Sequence, residues 1–200
     1  MKSTLAIVLC LLGASLSVAQ SPVLEKDGTR KVPGQMGNST AYVIRSLILG
    51  ETRRINIATP SSFEVSGPNR RYPVAIVFDG EYLFAAKVAA AEYLAEEGQI
   101  PETVIVGIEN IGGDRERVND LTPPGLSVSG SSQQERGDQF LDFIEQELLP
   151  ALEHQFRAGR PRVLIGHSSG GVLATYAGTT CSLQIQKQPV DAKTASFADS

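Results

Sequence analysis

Arg162-Val163-Leu164-Ile165-Gly166-His167-Ser168-Ser169-Gly170-Gly171-Val172-Leu173-Ala174 decides how the rest of the chain is read. An aliphatic, partly β-branched run ends in a turn of small residues with a serine at its centre, and the residues after the turn suit a helix. Gly-x-Ser-x-Gly, here Gly166, His167, Ser168, Ser169 and Gly170, is the pattern of a nucleophile elbow, a tight strand-to-helix turn that lifts a serine out of the fold. The backbone of such a turn is strained, and its two glycines leave room that larger side chains would fill. Small residues cluster in many loops, so the pattern gains meaning only from its flanks, a strand before and a helix after.

Moving outward, Pro73-Val74-Ala75-Ile76-Val77-Phe78 and Thr103-Val104-Ile105-Val106-Gly107-Ile108 are near-continuous apolar runs, as expected of strands covered on both faces. Between them Glu81 to Glu97 predicts a helix, with Leu83, Phe84, Val88, Ala91 and Leu94 at helical spacing and Gly98 as its stop. Strand, helix, strand implies a right-handed crossover and a parallel sheet, hence an α/β fold. Tyr42 to Leu49 and Thr52 to Ala58 are β-prone runs joined at Gly50-Glu51, which predicts an antiparallel hairpin. Arg136 to His154 predicts an amphipathic covering helix, with Phe140, Phe143, Ile144, Leu148 and Leu152 on one face. Glu109 to Gln134 is a long polar connection, expected as a loop over the active site.

With 200 residues, 42% hydrophobic and 20% charged, the chain fits one globular domain. A net charge of -4 offers no basic face to a phosphate backbone, so nucleic acid is excluded as the expected partner. Met1-Lys2-Ser3-Thr4, the apolar run Leu5 to Leu12 and Ser17-Val18-Ala19 follow the order of a secretory signal peptide, residues 1–19, which predicts a secreted or periplasmic protein. The run is too short to span a bilayer, so no stable membrane insertion is expected after cleavage. Cleavage removes Cys10 and leaves Cys181 alone, so no internal disulfide is expected. Residues 20–39 are rich in Gly, Pro, Ser and Lys and read as a lead-in segment.

A serine turn after a parallel strand places Ser168 at the carboxyl ends of the sheet, where such folds bind ligands. A serine hydroxyl needs a base to take its proton, and the oxyanion it creates needs hydrogen-bond donors already in place. One donor is the backbone N–H of Ser169; the other must come from the loop after an earlier strand, and Asp79-Gly80-Glu81 offers the N–H of Glu81. The plainer alternative for Asp79-Gly80 is an ordinary strand-ending turn. The base is harder to find. The two histidines are His154, at the end of the amphipathic helix on its solvated side, and His167, inside the elbow with its ring directed away from the hydroxyl. No histidine follows Ser168, and the later carboxylates Asp191 and Asp199 lie in a segment without strand pattern. Neither a phosphate-binding glycine loop nor zinc-type Cys and His spacing occurs, so no metal is expected. Asp114-Arg115-Glu116-Arg117 reads most simply as a solvated loop, with a substrate-binding arginine as the sharper alternative.

Several segments together resemble the esterase family of α/β-hydrolases that includes esterase D, the enterochelin (ferric siderophore) esterases and the mycolyltransferases. They are Tyr72 to Phe84, Val104 to Ile108, Asp114-Arg115 with Asp120-Leu121-Thr122-Pro123, Phe140 to Pro150, and Gly166 to Gly171, within a likeness running from about Ala41 to Gly178. The resemblance implies a three-layer α/β/α sandwich over about residues 40–179, and hydrolysis of a small-molecule ester through an acyl-serine without a cofactor. It makes Ser168 the nucleophile and the N–H groups of Ser169 and Glu81 the oxyanion hole. An acyltransferase of the same fold would use the same intermediate. The family's triad acid and histidine have no matching position here, and the likeness stops near Thr179, leaving residues 180–200 as an unrelated tail. That pattern carries a second expectation: a reading-frame shift or early stop near Gly178 and a catalytically inactive fragment.

Overall fold

A computed structural model describes residues 22–29, 31–32, 34, 37–126 and 134–180. The expected signal peptide, residues 127–133 of the long connection, and residues 181–200 with Cys181, Asp191 and Asp199 lie outside the described residues.

Six strands form one mixed sheet: β1 (Leu24–Lys26), β2 (Asn38–Ser46), β3 (Glu51–Thr59), β4 (Tyr72–Val77), β5 (Val104–Ile108) and β6 (Ala158–Ile165), in the order β1-β2-β3-β5-β4-β6. The hairpin β2/β3 is antiparallel, and β3 also runs antiparallel to β5. β4 lies between β5 and β6 and is parallel to both. The helices are α1 (Gly80–Glu96), α2 (Asp114–Leu121), α3 (Gly137–Phe143), α4 (Leu149–Gln155) and α5 (Ser169–Thr180).

The apolar strands are explained by burial on both faces. Val74, Ile76, Phe78, Val104, Val106 and Ile108 point into one core with Phe140, Leu148, Leu152, Leu173 and Ala177 of the α3, α4 and α5 region. Ala75, Val77 and Ile105 point the other way, against Phe84 and Val88 of α1. This is the three-layer α/β/α arrangement of an α/β-hydrolase, with neighbouring residues of one strand feeding opposite cores. Each buried Val, Ile, Leu or Phe side chain contributes about 1.5–3 kcal/mol relative to exposure. Gly80 lets α1 start against the sheet: a Cβ there would stand 2.7 Å from the carbonyl carbon of Gly107.

Four details differ from the sequence expectation. β1 lies within the segment expected as a lead-in and pairs with β2, Leu24 facing Ile44. β6 begins at Ala158, four residues before the expected start at Arg162, and is half-buried because it borders the sheet among the described residues. The polar connection contains α2, which has no apolar stripe and is anchored by its last residues: Asn119, Asp120 and Leu121 are buried, and Asp120 accepts a hydrogen bond from buried Arg53 of β3. The expected single helix over 136–154 is interrupted by a π turn, Ile144–Leu148. Glu147 in that turn is buried, accepting from Ser46 Oγ at 2.5 Å and from the N–H groups of Leu47 at 2.8 Å and Ile48 at 3.2 Å.

Candidate functional site

Two turns meet at the carboxyl ends of β4 and β6. The first is the elbow. Ile165 ends β6 opposite Val77 of β4, and the N–H of Phe78 donates to Ile165 O at 2.9 Å. Ser168 then adopts φ 55, a left-handed conformation that costs a residue with a Cβ about 1–2 kcal/mol. The turn is closed by the N–H of Gly170 donating to His167 O at 3.0 Å and that of Val172 donating to Ser168 O at 3.1 Å. Ser168 is exposed, and Ser169 opens α5. As the first residue of the helix, Ser169 has an N–H with no intrahelical acceptor, at the positive end of the helix dipole.

The second turn follows β4. Asp79 is left-handed as well, at φ 56 and ψ 46, and its carbonyl accepts from the N–H groups of Tyr82 and Leu83, each at 3.0 Å. Glu81 falls in the first turn of α1, where backbone N–H groups likewise lack intrahelical partners. The two turns abut: a Cβ on Gly170 would stand 3.3 Å from Phe78 Cβ and 3.6 Å from Asp79 Oδ2. The structure thus brings Ser168, Ser169 and Glu81 to the ends of two neighbouring parallel strands.

Asp79 is not an ordinary strand-ending turn residue, because it is 5% exposed and fully engaged. Arg117 of α2 grips it with two hydrogen bonds, Nε to Oδ1 at 2.6 Å and Nη2 to Oδ2 at 2.8 Å. Asn110 Nδ2 donates to Asp79 Oδ1 at 2.8 Å and to Glu81 Oε1 at 2.7 Å, while the Asn110 N–H donates to Glu81 Oε2 at 3.1 Å. Burial works to raise the Asp79 carboxyl, but the hydrogen bonds from Arg117 and Asn110, with the charges of Arg117 and His167, outweigh it and hold the group below its ordinary value. The hydrogen bond to Asp79 raises Arg117 in turn. Arg117 is therefore not loosely solvated: its Nε and Nη2 are both engaged by Asp79. Sequence reasoning missed this pair because it joins positions 38 apart through a turn and a helix without apolar pattern.

Of the two histidines, His154 lies away from this arrangement and His167 lies within it. His154 is exposed in the last turn of α4 and lines a cavity of about 510 Å³ with Arg71, Ala158, Arg160 and Arg162. Ala158 is the first residue of β6, and Ser168 lies beyond its last. An eight-residue strand is roughly 26 Å long, so His154 and Ser168 occupy opposite ends of the sheet. His167 is exposed within the elbow. A second cavity of about 480 Å³ lies between β3 and α1, lined by Val88, Ala91, Glu92 and Glu102 among others, and does not include Ser168 either. Among the described residues, no group of three or more His, Cys, Asp or Glu side chains could hold a metal ion, and no helix is long and apolar enough to cross a membrane.

The family described as "Putative esterase" matches residues 46–182. The chain belongs to this esterase family. Among curated proteins it is similar to the siderophore triacetylfusarinine C esterase of Aspergillus fumigatus, 32% identical over 166 residues, covering 75% of this chain and 53% of that enzyme. Among solved structures it is similar to an IroE-like serine hydrolase from Shewanella oneidensis, with a TM-score of 0.65, 34% identity and coverage of 74% of this chain and 48% of the other. The BES protein from Bacillus cereus also has a TM-score of 0.65, at 27% identity, covering 76% of this chain and 62% of that one. The chain spans about half the length of the curated relatives it matches.

Proposed function

We propose that this chain carries the nucleophile half of an ester-hydrolysing site: Ser168 attacks the carbonyl of a small-molecule ester, and the N–H groups of Ser169 and Glu81 receive the oxyanion. The acyl-serine forms as the C–O bond to the alcohol breaks and the alcohol leaves with the proton given up by the serine. Water would then release the acid and restore the hydroxyl. The observation that carries this reading is the left-handed Ser168 turn packed against the Asp79 turn, which sets two helix starts beside one exposed hydroxyl. Esters of the kind named for the Aspergillus fumigatus relative, siderophores, are the first substrates to try. Export to the periplasm or medium is part of the proposal and rests on the N-terminal segment; an N-terminal sequence of the mature protein beginning near Gln20 supports it, and one beginning at Met1 opposes it.

The distance of His154 and the placement of His167 favour a second reading for these 200 residues taken alone, in which Ser168 can be acylated but does not turn over. The test is mapping of acetyl groups by mass spectrometry after treatment with p-nitrophenyl acetate at alkaline pH, with Ser168→Ala as control. Preferential acetylation of Ser168 over other serines and threonines is expected. Even labelling across hydroxyls would remove Ser168 from the nucleophile role.

A further inference from the structure

A left-handed aspartate is a conformation that its surroundings must hold, and the surroundings of Asp79 are specific. Arg117 binds both carboxylate oxygens as a two-pronged fork, which fixes the position and the rotation of the group. Asn110 spans Asp79 and Glu81, so the side chains on either side of Gly80 are tied to one amide. Glu81 is tied twice, through the side chain and the N–H of Asn110. The two carboxylates stand close together, and the Arg117 guanidinium offsets their repulsion.

We propose that Arg117 and Asn110 are positioning residues for ester hydrolysis: acting through Asp79 and Glu81, they hold the first turn of α1 so that the N–H of Glu81 faces the oxygen of a carbonyl seated over Ser168. The inference rests on the acyl-serine reading above and adds to it the means by which the second donor is aimed. Neither side chain touches the reacting atoms. Arg117 reaches the turn from α2, which lies in the polar connection, so the connection contributes to the site through a contact of its helix. Oxyanion donors act only when already aimed at the developing charge, and a shift of about 1 Å can cost about a hundredfold in rate. Lysine cannot supply the fork, since its ammonium is a single point charge.

The test compares the parent chain with Arg117→Met, Arg117→Lys, Arg117→Ala and Asn110→Ala by three measurements: the rate of Ser168 acetylation by p-nitrophenyl acetate, the amide 1H–15N signal of Glu81, and Tm. Arg117→Met is expected to slow acetylation about tenfold or more at temperatures where it is folded, and to move the Glu81 signal. Arg117→Lys and Asn110→Ala should fall between it and the parent, and millimolar ethylguanidinium should partly restore rate and signal in Arg117→Ala. A lowered Tm with unchanged rate and unchanged Glu81 signal would show Arg117 to be structural only and overturn the proposal. Failure of the parent chain to label at Ser168 would defeat the acyl-serine reading instead. The Glu81 signal would still judge the positioning claim, which is wrong if Arg117→Met leaves it in place.

Discussion

A Cβ atom on Gly166 would stand 2.2 Å from the carbonyl carbon of Gly170 and 2.3 Å from its oxygen. Both are backbone atoms of the elbow, so no side chain can swing aside to relieve the clash. Gly166→Ala is expected to destabilise the protein by about 3 kcal/mol and to undo the left-handed turn at Ser168. Gly171→Ala is the matched control, because its Cβ would meet Gly166 O at 3.4 Å, an ordinary contact, and alanine favours a helix over glycine by up to about 1 kcal/mol. Urea unfolding of the two variants checks this. Equal stabilities would mean that the elbow is looser than described.

Acid stability should depend on two buried aspartates with opposite signs. Asp79 is held below its ordinary value, so its contribution is fully present above the unfolded carboxyl pKa of about 3.9 and is lost as pH falls through the lower folded value. Asp120 is raised by burial despite Arg53 and Arg136 beside it, with Glu51 adding to the rise. Its folded form holds a proton more tightly, so its contribution falls as pH rises from about 3.9 through the raised value. Asp79→Asn should therefore flatten the loss of stability on acidification below about pH 4, and Asp120→Asn should steepen the net rise of stability with pH just above it. Unfolding free energies of both variants between pH 3 and 6 decide the signs. Parallel curves for variants and parent would contradict both assignments.

Glu147 is the acceptor that closes the β2/β3 hairpin turn from below, taking Ser46 Oγ and two backbone N–H groups. Glu147→Ala would leave these donors without it, the Ser46 hydroxyl in a buried place and the two N–H groups in a partly buried one, at an expected cost of about 2–3 kcal/mol. Glu147→Gln keeps one carbonyl for the two N–H groups and should cost about 1–2 kcal/mol. Gln146→Ala, next door and exposed, should stay within about 0.5 kcal/mol of the parent. Thermal unfolding ranks the three, and a mild Glu147→Ala would show that water replaces the carboxylate.

What could be read from sequence was whatever local pattern determines. β4 and β5 are covered on both faces, which makes their sequences continuously apolar, and the elbow requires glycines at fixed spacing. The start of β6 was hidden because Gly159, Arg160 and Pro161 do not look like a strand and are tolerated on a border. α2 and the Asp79–Arg117 fork were hidden for a different reason. Nothing local in Asp114 to Leu121 demands a helix facing a core, and the contacts that fix it, to Arg53 and Asp79, exist only after the sheet has assembled. The π turn escaped notice because Glu147 has no apolar signature, although a carboxylate facing three donors is what brings it inward.

The 200-residue chain is expected to show no steady-state turnover of p-nitrophenyl acetate above a Ser168→Ala control. Acylation needs a nucleophile, oxyanion donors and an acceptor for the serine proton. With an activated aryl ester at alkaline pH, solvent hydroxide serves as that acceptor, and Ser168 is exposed at the start of α5. Release of the acyl group needs a base to activate water, and the chain's two histidines lie at the far end of β6 and inside the elbow. A site stripped of its base keeps only the residual catalysis of binding and oxyanion stabilisation, roughly 10³–10⁴-fold over water in a serine hydrolase. The acetyl group should therefore accumulate on Ser168 toward one equivalent instead of cycling, and mass spectrometry over hours follows it. Steady turnover lost in Ser168→Ala would show that a base is at hand. His167→Ala and His154→Ala would then identify it, and loss of activity in His167→Ala would mean that the ring next to the nucleophile turns toward the hydroxyl after all.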